Sequence, residues 1–254
     1  MSTYCYWSVA DGKHALMART MIESARAVGD NTDFHIWTDQ AIPGATTYPC
    51  GTFDKNFYLF KLTFLQQQAK KLNYDWLVWL DADNYFVRNP GNLTDRFGDD
   101  RVFVQLESNC SSPEVKRGDW WNCPVPKYIE YMRQHGATTP DIYNTNAGFW
   151  AVRRDSIDEL VDRAMAFWKY VRMQGHTFTE EAPLAHIGHV MAKDPLKNTF
   201  DKTSDLWACD WTGVFINGLP DGHEWPFEDY MTGEKKVVNP AIVHAMRCKD
   251  QMAK

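Results

Sequence analysis

Hydrophobic residues in the first third of the chain follow two different spacings. Short, continuous apolar runs predict strands at 4–10, 34–38 and 76–80. Between them, apolar residues recur every three or four positions, which predicts a helix after Asp11-Gly12 and another over 56–72. This alternation of strands and helices is typical of an α/β fold with a mostly parallel sheet.

The same reading extends through the rest of the sequence. Further strands are predicted at 101–106, 149–152 and 237–244, and helices at 126–135, at 156–175 and in a later stretch that includes Leu184, Ile187 and Met191. Ser156 and Glu159 have the spacing of a capping box. The segment 108–126 reads as a long irregular loop, and without a linker or repeat we expect one domain over 1–254.

One stretch, DWLVWLDADNYF at 75–86, combines a buried strand with a pair of carboxylates. Its five apolar residues, 76–80, are typical of a strand that is buried on both faces. Asp81 and Asp83 follow that strand, and in extended backbone their side chains leave on the same side. Ligands bind at this end of open α/β sheets. Adjacent carboxylates repel each other unless a cation lies between them, so the pair predicts a hard divalent cation and a phosphate-bearing substrate.

Composition and charge narrow the function classes. The net charge of −6 argues against a general nucleic-acid binder. We expect no membrane span and no secretion signal, because no long apolar run is present, and therefore a cytoplasmic protein. The six cysteines include no C-x-x-C pair, which favours reduced thiols over a zinc or redox site.

The order of the motifs resembles a known family. WLDADNYF is preceded by a helix that carries Lys61, and is followed by NTNAGFW and by His244 at the end of the strand AIVH. This order is similar to that of the GT-A-fold nucleotide-sugar glycosyltransferases, nearest to the glycogenin-like and galactosyltransferase-like retaining families. The resemblance runs from Tyr4 to His244. It implies a Rossmann-like GT-A fold, with a central, mostly parallel sheet flanked by helices.

The resemblance also implies an activity and a metal. The activity is transfer of a hexose from UDP-glucose or UDP-galactose to an acceptor hydroxyl, with retention of configuration. Asp81, Asp83 and His244 are the implied ligands of Mn²⁺ or Mg²⁺, and their mixed donor atoms suit manganese. After the histidine the chain departs from the family, which has a glycine three residues later and a lysine six residues later. Here Arg247 and Lys249 stand in HAMRCK, so their contact with the diphosphate is left open.

Further site residues follow from the resemblance. Those implied to bind the donor or the metal are Val9, Ala10, Asp11, His14, Lys61, Asp81, Ala82, Ala147 and Gly148. Asn146, in the same Asn-Ala-Gly segment, lies beside the donor sugar in such a site, and the resemblance implies that Asn146 and Glu181 are catalytic. Glu180 and Glu181 match the acidic segment that faces sugar and acceptor, and Glu181 is the candidate general base if the reaction inverts configuration.

Two other functions remain open from the sequence. A haloacid-dehalogenase-type phosphatase would use Asp81 as its nucleophile, but Asn84 stands where such enzymes usually have Thr or Val. A non-catalytic protein that binds a nucleotide sugar could share the same fold. The sequence names neither the acceptor nor the oligomeric state.

Overall fold

A computed structural model describes residues 2–50, 59–210, 224–247 and 249–253. Its strands are β1 (Tyr4–Val9), β2 (Phe34–Thr38), β3 (Thr46–Pro49), β4 (Trp76–Leu80), β5 (Asn84–Phe86), β6 (Val102–Val104), β7 (Asp119–Trp120), β8 (Cys123–Pro124), β9 (Phe149–Arg153), β10 (Trp207–Cys209), β11 (Trp225–Glu228), β12 (Lys235–Val238) and β13 (Ile242–His244). Its α-helices are α1 (Lys13–Ala27), α2 (Phe60–Gln67), α3 (Leu93–Phe97), α4 (Val125–Gln134), α5 (Ile157–Met173), α6 (Glu181–Met191), α7 (Phe200–Thr203) and α8 (Lys249–Met252). Within these described ranges, no helix is both long and apolar enough to cross a lipid bilayer.

The central sheet has six strands in the order β3-β2-β1-β4-β9-β6. Neighbours from β3 to β4 pair in parallel, whereas β9 pairs antiparallel with both β4 and β6. Strand β6 therefore points the same way as β4, and only β9 in this sheet is reversed. The predicted mostly parallel α/β sheet is confirmed.

Alternate residues of β4 face two different hydrophobic layers. Trp76, Val78 and Leu80 pack in the layer that contains α1 and the small sheet β10-β13-β5. Leu77 and Trp79 pack in the layer that contains α2, α5 and α6. All five side chains are at most 1% exposed. Burial on both faces explains why this strand lacks alternating polar residues.

The topology gathers polar residues at one edge of the sheet. Strands β1, β4 and β6 share one direction, so Asp11, Asp81 and Glu107, which follow them, lie at the same edge. Strand β9 is reversed, which places the residues before it, 146–148, at that edge as well. Ligands bind at this edge of open α/β sheets.

Several element predictions need correction. The strand predicted over 237–244 is interrupted, because Pro240 has no amide hydrogen and β12 pairs with β11 while β13 pairs with β10 and β5. Helix α2 begins at Phe60 and gives way to a 3₁₀ turn at Ala69–Lys71, so the helix predicted over 56–72 is too long. Its first residues, 56–58, lie outside the described residues. Strand β6 is shorter than predicted, and β3 and β5 were not predicted.

The predicted capping box at α5 is wrong. The Ser156 hydroxyl makes no bond to the first turn of the helix and donates instead to Asp155 Oδ1 at 3.0 Å. Glu159 forms ion pairs with Arg101 and Arg163 rather than reaching back to the helix start. The cysteines agree with the expectation of reduced thiols: Cys5, Cys50, Cys110, Cys123 and Cys209 are free. Cys248 lies outside the described residues.

Because β4 is buried on both faces, shortening a side chain at its centre should strongly reduce the stability of the fold. We expect Leu77→Ala to lower the free energy of unfolding by about 2–5 kcal/mol, because Leu77 is fully buried and the cavity would persist. Met173→Ala is the control, since its side chain is 78% exposed and should change stability by less than about 0.5 kcal/mol. Urea denaturation measures both. Equal stabilities of the two variants would contradict the packing described here.

Candidate functional site

Asp81, Asp83 and His244 form one cluster at the sheet edge. Ligand atoms from the three side chains all lie within 4.8 Å of one another. His244 Nε2 is 3.1 Å from Asp83 Oδ1 and 3.7 Å from Asp81 Oδ2. Asp83 and His244 are buried, and Asp81 is partly exposed. The structure thus brings together the three residues expected to bind a metal.

Strand pairing explains how residues so far apart in sequence meet. Strand β13 runs antiparallel to β5, with His244 opposite Asn84. The next residue, Ala245, donates its amide hydrogen to the Asp83 carbonyl at 2.8 Å. Backbone bonds on both sides of the imidazole therefore fix its position beside the carboxylates.

Hydrogen bonds to Asn146 determine which nitrogen of His244 carries a hydrogen. Asn146 Oδ1 accepts from the Gly148 amide at 2.9 Å, so the atom facing His244 is the amide oxygen. It lies 3.1 Å from His244 Nδ1, which must donate. In the neutral ring, Nε2 then directs a lone pair at two carboxylates. A proton or a metal cation on Nε2 removes that repulsion, and one nitrogen with carboxylate oxygens is a donor set that fits a divalent cation.

Gly148 permits this arrangement because it has no side chain. A Cβ at that position would lie 2.5 Å from His244 Nδ1 and 2.8 Å from its Cε1, both too close for real contacts. The resemblance implied that a larger residue here would intrude on the donor sugar. In this chain the first group that it would meet is the His244 ring.

Two lysines balance the carboxylates. Lys61 Nζ lies 2.8 Å from both Asp81 Oδ1 and Glu180 Oε1, and its side chain is buried. Burial alone lowers the pKa of Lys61, but the two carboxylates raise it above its ordinary value. Lys249 Nζ lies 2.8 Å from Asp83 Oδ2. Burial alone raises the pKa of Asp83, and the neighbouring His244 and Lys249 more than reverse this and lower it.

A cavity of about 240 Å³, here called cavity A, opens beside the cluster. Seven of the expected residues line it: Val9, Asp11, His14, Lys61, Asp81, Ala82 and Asp83. Sequence reasoning missed Phe60 and Trp79, and left Lys249 open, yet all three line it too. Ala10 does not line it; its amide hydrogen is bonded to the Trp37 carbonyl at 2.9 Å. Ala147 is buried behind it, with its carbonyl 3.5 Å from Lys61 Nζ.

A second cavity of about 390 Å³, here called cavity B, contains the two residues expected to be catalytic. Its lining consists of Glu107, Arg117, Trp120, Trp121, Asn144, Thr145, Asn146, Glu181, Tyr230, Met246 and Arg247. Asn146 connects the two halves of the site, because it lines cavity B and also bonds to His244. Glu181 Oε2 accepts a hydrogen bond from Trp121 Nε1 at 2.5 Å. Burial raises the pKa of Glu181 to about 8 despite that bond.

Glu107 in cavity B was missed by sequence reasoning. Its side chain is 8% exposed, and Oε1 has no hydrogen-bond partner among the described residues. Burial, and then the charges of Glu181 and Asp229, raise the pKa of Glu107 to about 8. A signal was available, since Glu107 follows the end of β6 much as Asp81 follows β4.

The comparison with solved structures supports the fold. No family model matches the chain, and no curated protein matches its sequence. Among solved structures, it is similar to the WbbM bifunctional glycosyltransferase in its apo form, with a TM-score of 0.59 and 13% identity over 96% of this chain and 46% of that one. It is also similar to an active-site mutant of LgtC, with a TM-score of 0.51 and 13% identity over 96% and 87% of the two chains.

These similarities concern structure rather than sequence. At 13% identity they show the fold alone, and the chain spans about half the length of WbbM. The predicted mixed α/β fold, with a central sheet flanked by helices, is therefore the fold found in these glycosyltransferases. The nearer assignment to glycogenin-like or galactosyltransferase-like families stays a prediction.

The close approach at Gly148 yields a test of the cluster. We expect Gly148→Ala to weaken Mn²⁺ binding by about 10- to 100-fold, because the new Cβ displaces the His244 ring. Gly118→Ala is the matched control, since a Cβ there meets no atom within 4 Å. Electron paramagnetic resonance of free Mn²⁺ measures the affinity, and melting curves check folding. A folded Gly148→Ala protein with wild-type affinity would exclude His244 as a ligand.

The buried Glu107 carboxyl predicts a dependence of stability on pH. The unfolded chain releases this proton near pH 4.5 and the folded chain near pH 8, so between these values the folded state binds more protons. Stability from this group is present below about pH 4.5 and is lost as the pH rises to about 8. Glu107→Gln has no titrating group at this position and avoids that loss. Between about pH 4.5 and 8, we therefore expect the free energy of unfolding of the variant, relative to that of the wild type, to rise by roughly 1 kcal/mol per pH unit.

Urea denaturation at several pH values measures this difference. Glu114→Gln, at an exposed glutamate, is the control and should follow the wild type throughout. A Glu107→Gln profile parallel to that of the wild type would contradict a protonated Glu107 at neutral pH.

Proposed function

We propose that this protein is a metal-dependent glycosyltransferase that moves a hexose from UDP-glucose or UDP-galactose to an acceptor hydroxyl. The observation that carries the proposal is the Asp81–Asp83–His244 cluster at the carboxyl edge of a sheet whose fold is shared with glycosyltransferases. Retention of configuration, a single domain over 1–254 and a cytoplasmic location remain predictions from the sequence.

The cluster would hold Mn²⁺ or Mg²⁺ through Asp81, Asp83 and His244. When bound, the ion supplies positive charge to a departing diphosphate. Asn146 keeps the imidazole in the tautomer that presents Nε2, and Gly148 leaves room for the ring. Both residues therefore act on the metal ligands, and Asn146 also lines cavity B.

The two lysines take different roles in this proposal. Lys61 is held by Asp81 and Glu180 and is buried, so it positions those carboxylates. Lys249 has a side chain that is 44% exposed and lies on the wall of cavity A. It is free to turn from Asp83 to an entering diphosphate, which suits charge neutralisation of the leaving group.

The two cavities suit different parts of the reaction. Val9, Asp11 and His14 lie on the wall of cavity A, where a base and ribose would bind next to the metal cluster. Asn146 and Glu181 face cavity B, where the hexose and acceptor would meet. If the reaction inverts configuration, Glu181 is the candidate general base, and its pKa of about 8 means that its basic form is favoured above about pH 8.

The contacts of Asp81 argue against the phosphatase alternative. Its Oδ1 accepts a hydrogen bond from Trp79 Nε1 at 2.8 Å and lies 2.8 Å from Lys61 Nζ. Its Oδ2 faces His244. A nucleophilic aspartate needs an oxygen directed at the phosphorus, whereas here Oδ1 is already bonded and Oδ2 is the oxygen that faces the proposed metal position.

Hydrolysis of the donor tests the proposal without knowledge of the acceptor. We expect Mn²⁺-dependent hydrolysis of UDP-glucose or UDP-galactose that EDTA abolishes. Asp83→Asn should lower kcat/KM by about 100-fold or more, since an amide removes one ligand charge. Asp99→Asn, on the exposed surface, is the control and should leave the rate unchanged.

Each other outcome selects a different function. Undiminished turnover by Asp83→Asn would exclude the metal assignment. Tight binding of UDP and Mn²⁺ without turnover of any donor would select a nucleotide-sugar-binding protein. Release of phosphate from p-nitrophenyl phosphate, with no response to UDP-sugars, would select the phosphatase.

A further inference from the structure

Cavity B is lined by neutral hydrogen-bonding groups and by positively charged groups. Neither kind is assigned to binding of the donor in the proposed function. Glu107, Asn144 and Thr145 supply oxygen and nitrogen atoms, and two arginines, Arg117 and Arg247, also line it. A volume of about 390 Å³ is in the range of small-molecule sites. In the proposed function, which this inference presupposes, the cavity is the place for the acceptor.

Arg117 is held in a fixed orientation without a counter-ion. Its Nε donates to the Tyr230 carbonyl at 2.8 Å, and its guanidinium lies 3.8 Å from the centre of the Tyr230 ring. In the part of the chain that the structure describes, it forms no ion pair. These contacts use one of its five donor hydrogens and leave the terminal nitrogens for a ligand.

Arg247 lies beside the same cavity and is exposed. Among the described residues it also forms no ion pair. Both arginines line a further cavity of about 220 Å³ with Glu228, Asp229 and Tyr230, so they are neighbours. Among the described residues, neither Glu228 nor Asp229 forms an ion pair within 4.0 Å with these arginines, and Asp229 Oδ1 accepts from the amides of Met231 and Thr232. Two unpaired guanidinium groups at one cavity favour binding of an anion.

Glu107 requires a different kind of partner. Its carboxyl is more than nine-tenths buried, and its Oε1 lacks a hydrogen-bond partner among the described residues. An unpaired buried polar atom is costly. Because Glu107 also lines cavity B, its carboxyl is a candidate to bind a polar group of a ligand there. Trp121, which is 42% exposed, adds an aromatic surface to the same cavity. Hydroxyl groups on a ring with apolar faces, as in a saccharide, match this lining.

We propose that cavity B binds an acceptor saccharide that carries an anionic group, a phosphate or a carboxylate. The anion binds to Arg117 and Arg247, and hydroxyls of the sugar ring bind to Glu107 and the neighbouring amides. Arginine recognises both anions through paired, charge-assisted hydrogen bonds. The positive groups thus select the acceptor by its charge, whereas the carboxyl and amide groups orient it.

Calorimetry on the full chain, saturated with Mn²⁺ and UDP to fill cavity A, tests this proposal. The probes are glucose 6-phosphate, glucuronate and glucose, so that the first two separate a phosphate from a carboxylate as the preferred anion. We expect at least one anionic probe to bind about tenfold or more tightly than glucose, since charge-assisted hydrogen bonds contribute that much. Raising the salt concentration should reduce the difference.

Variants assign the binding to the two arginines. Arg117→Gln and Arg247→Gln should each weaken the preferred anionic probe by about tenfold and leave glucose unchanged. Arg172→Gln is the matched control, because Arg172 is also exposed and stacks on an aromatic ring, Trp168, at 4.9 Å. It should bind all three probes like the wild type.

The results distinguish failure of this proposal from failure of the proposed function. Suppose that UDP and Mn²⁺ bind. The acceptor proposal is then overturned, and the proposed function is not, if the anionic probes bind no more tightly than glucose or if Arg117→Gln and Arg247→Gln leave their affinity unchanged. Displacement of the probe by excess UDP would likewise overturn it, because the probe would lie in cavity A. If UDP and Mn²⁺ do not bind, the proposed function fails first. The probes are then titrated against the protein alone, and sensitivity to the two arginines decides the question for cavity B.

Discussion

The tautomer of His244 is the constraint on which the site depends. The Gly148 amide donates a hydrogen bond to Asn146 Oδ1, and the same oxygen accepts a hydrogen bond from His244 Nδ1. The other ring nitrogen, Nε2, therefore faces Asp81 and Asp83. Each step needs a different part of the chain: the segment before β9, the strand pair β5–β13 and the turn after β4. Pairing of β13 with β5 sets the position of the His244 backbone, and contacts with Asn146 and Asp83 orient its ring. The orientation of the ring thus depends on three separate segments.

Charge balance around this ring depends on buried groups. Lys61 is 6% exposed and pairs with two carboxylates. Buried ion pairs add little net stability, because desolvation offsets most of the attraction, but removing one partner leaves an uncompensated charge. The value of Lys61 is therefore positional: it holds Asp81 on the strand end and Glu180 at the start of α6. This links the cluster to the helix that carries Glu181.

Much of the fold, and part of the site, could be predicted from local sequence. The continuous apolar run 76–80 predicted a strand buried on both faces, and Asp81 and Asp83 predicted a carboxylate pair at its end. Both features could be predicted because each is formed by residues that are adjacent in sequence. His244 was reached through the resemblance, since nothing local to AIVH indicates a carboxylate partner. The sequence could not predict that Lys61 is buried or that Glu107 Oε1 lacks a hydrogen-bond partner. Both properties depend on which distant segments pack around these side chains. The capping box failed for a similar reason: Arg101, from before β6, competes for Glu159.

Carboxyl groups along one sheet edge have opposite pKa shifts, and this separates the two cavities. In cavity A, His244 and Lys249 lower the pKa of Asp83, so that carboxylate stays ionised and suits a cation. In cavity B, burial raises the pKa values of Glu107 and Glu181 to about 8. A carboxyl that keeps its proton at neutral pH can donate to a hydroxyl as well as accept from one. Cavity A thus offers ionised carboxylates to a cation, whereas cavity B combines neutral carboxyl groups, which suit hydroxyls, with two arginines, which suit an anion. A metal-bound donor and a hydroxyl acceptor that carries an anionic group can therefore occupy adjoining cavities without sharing their binding groups.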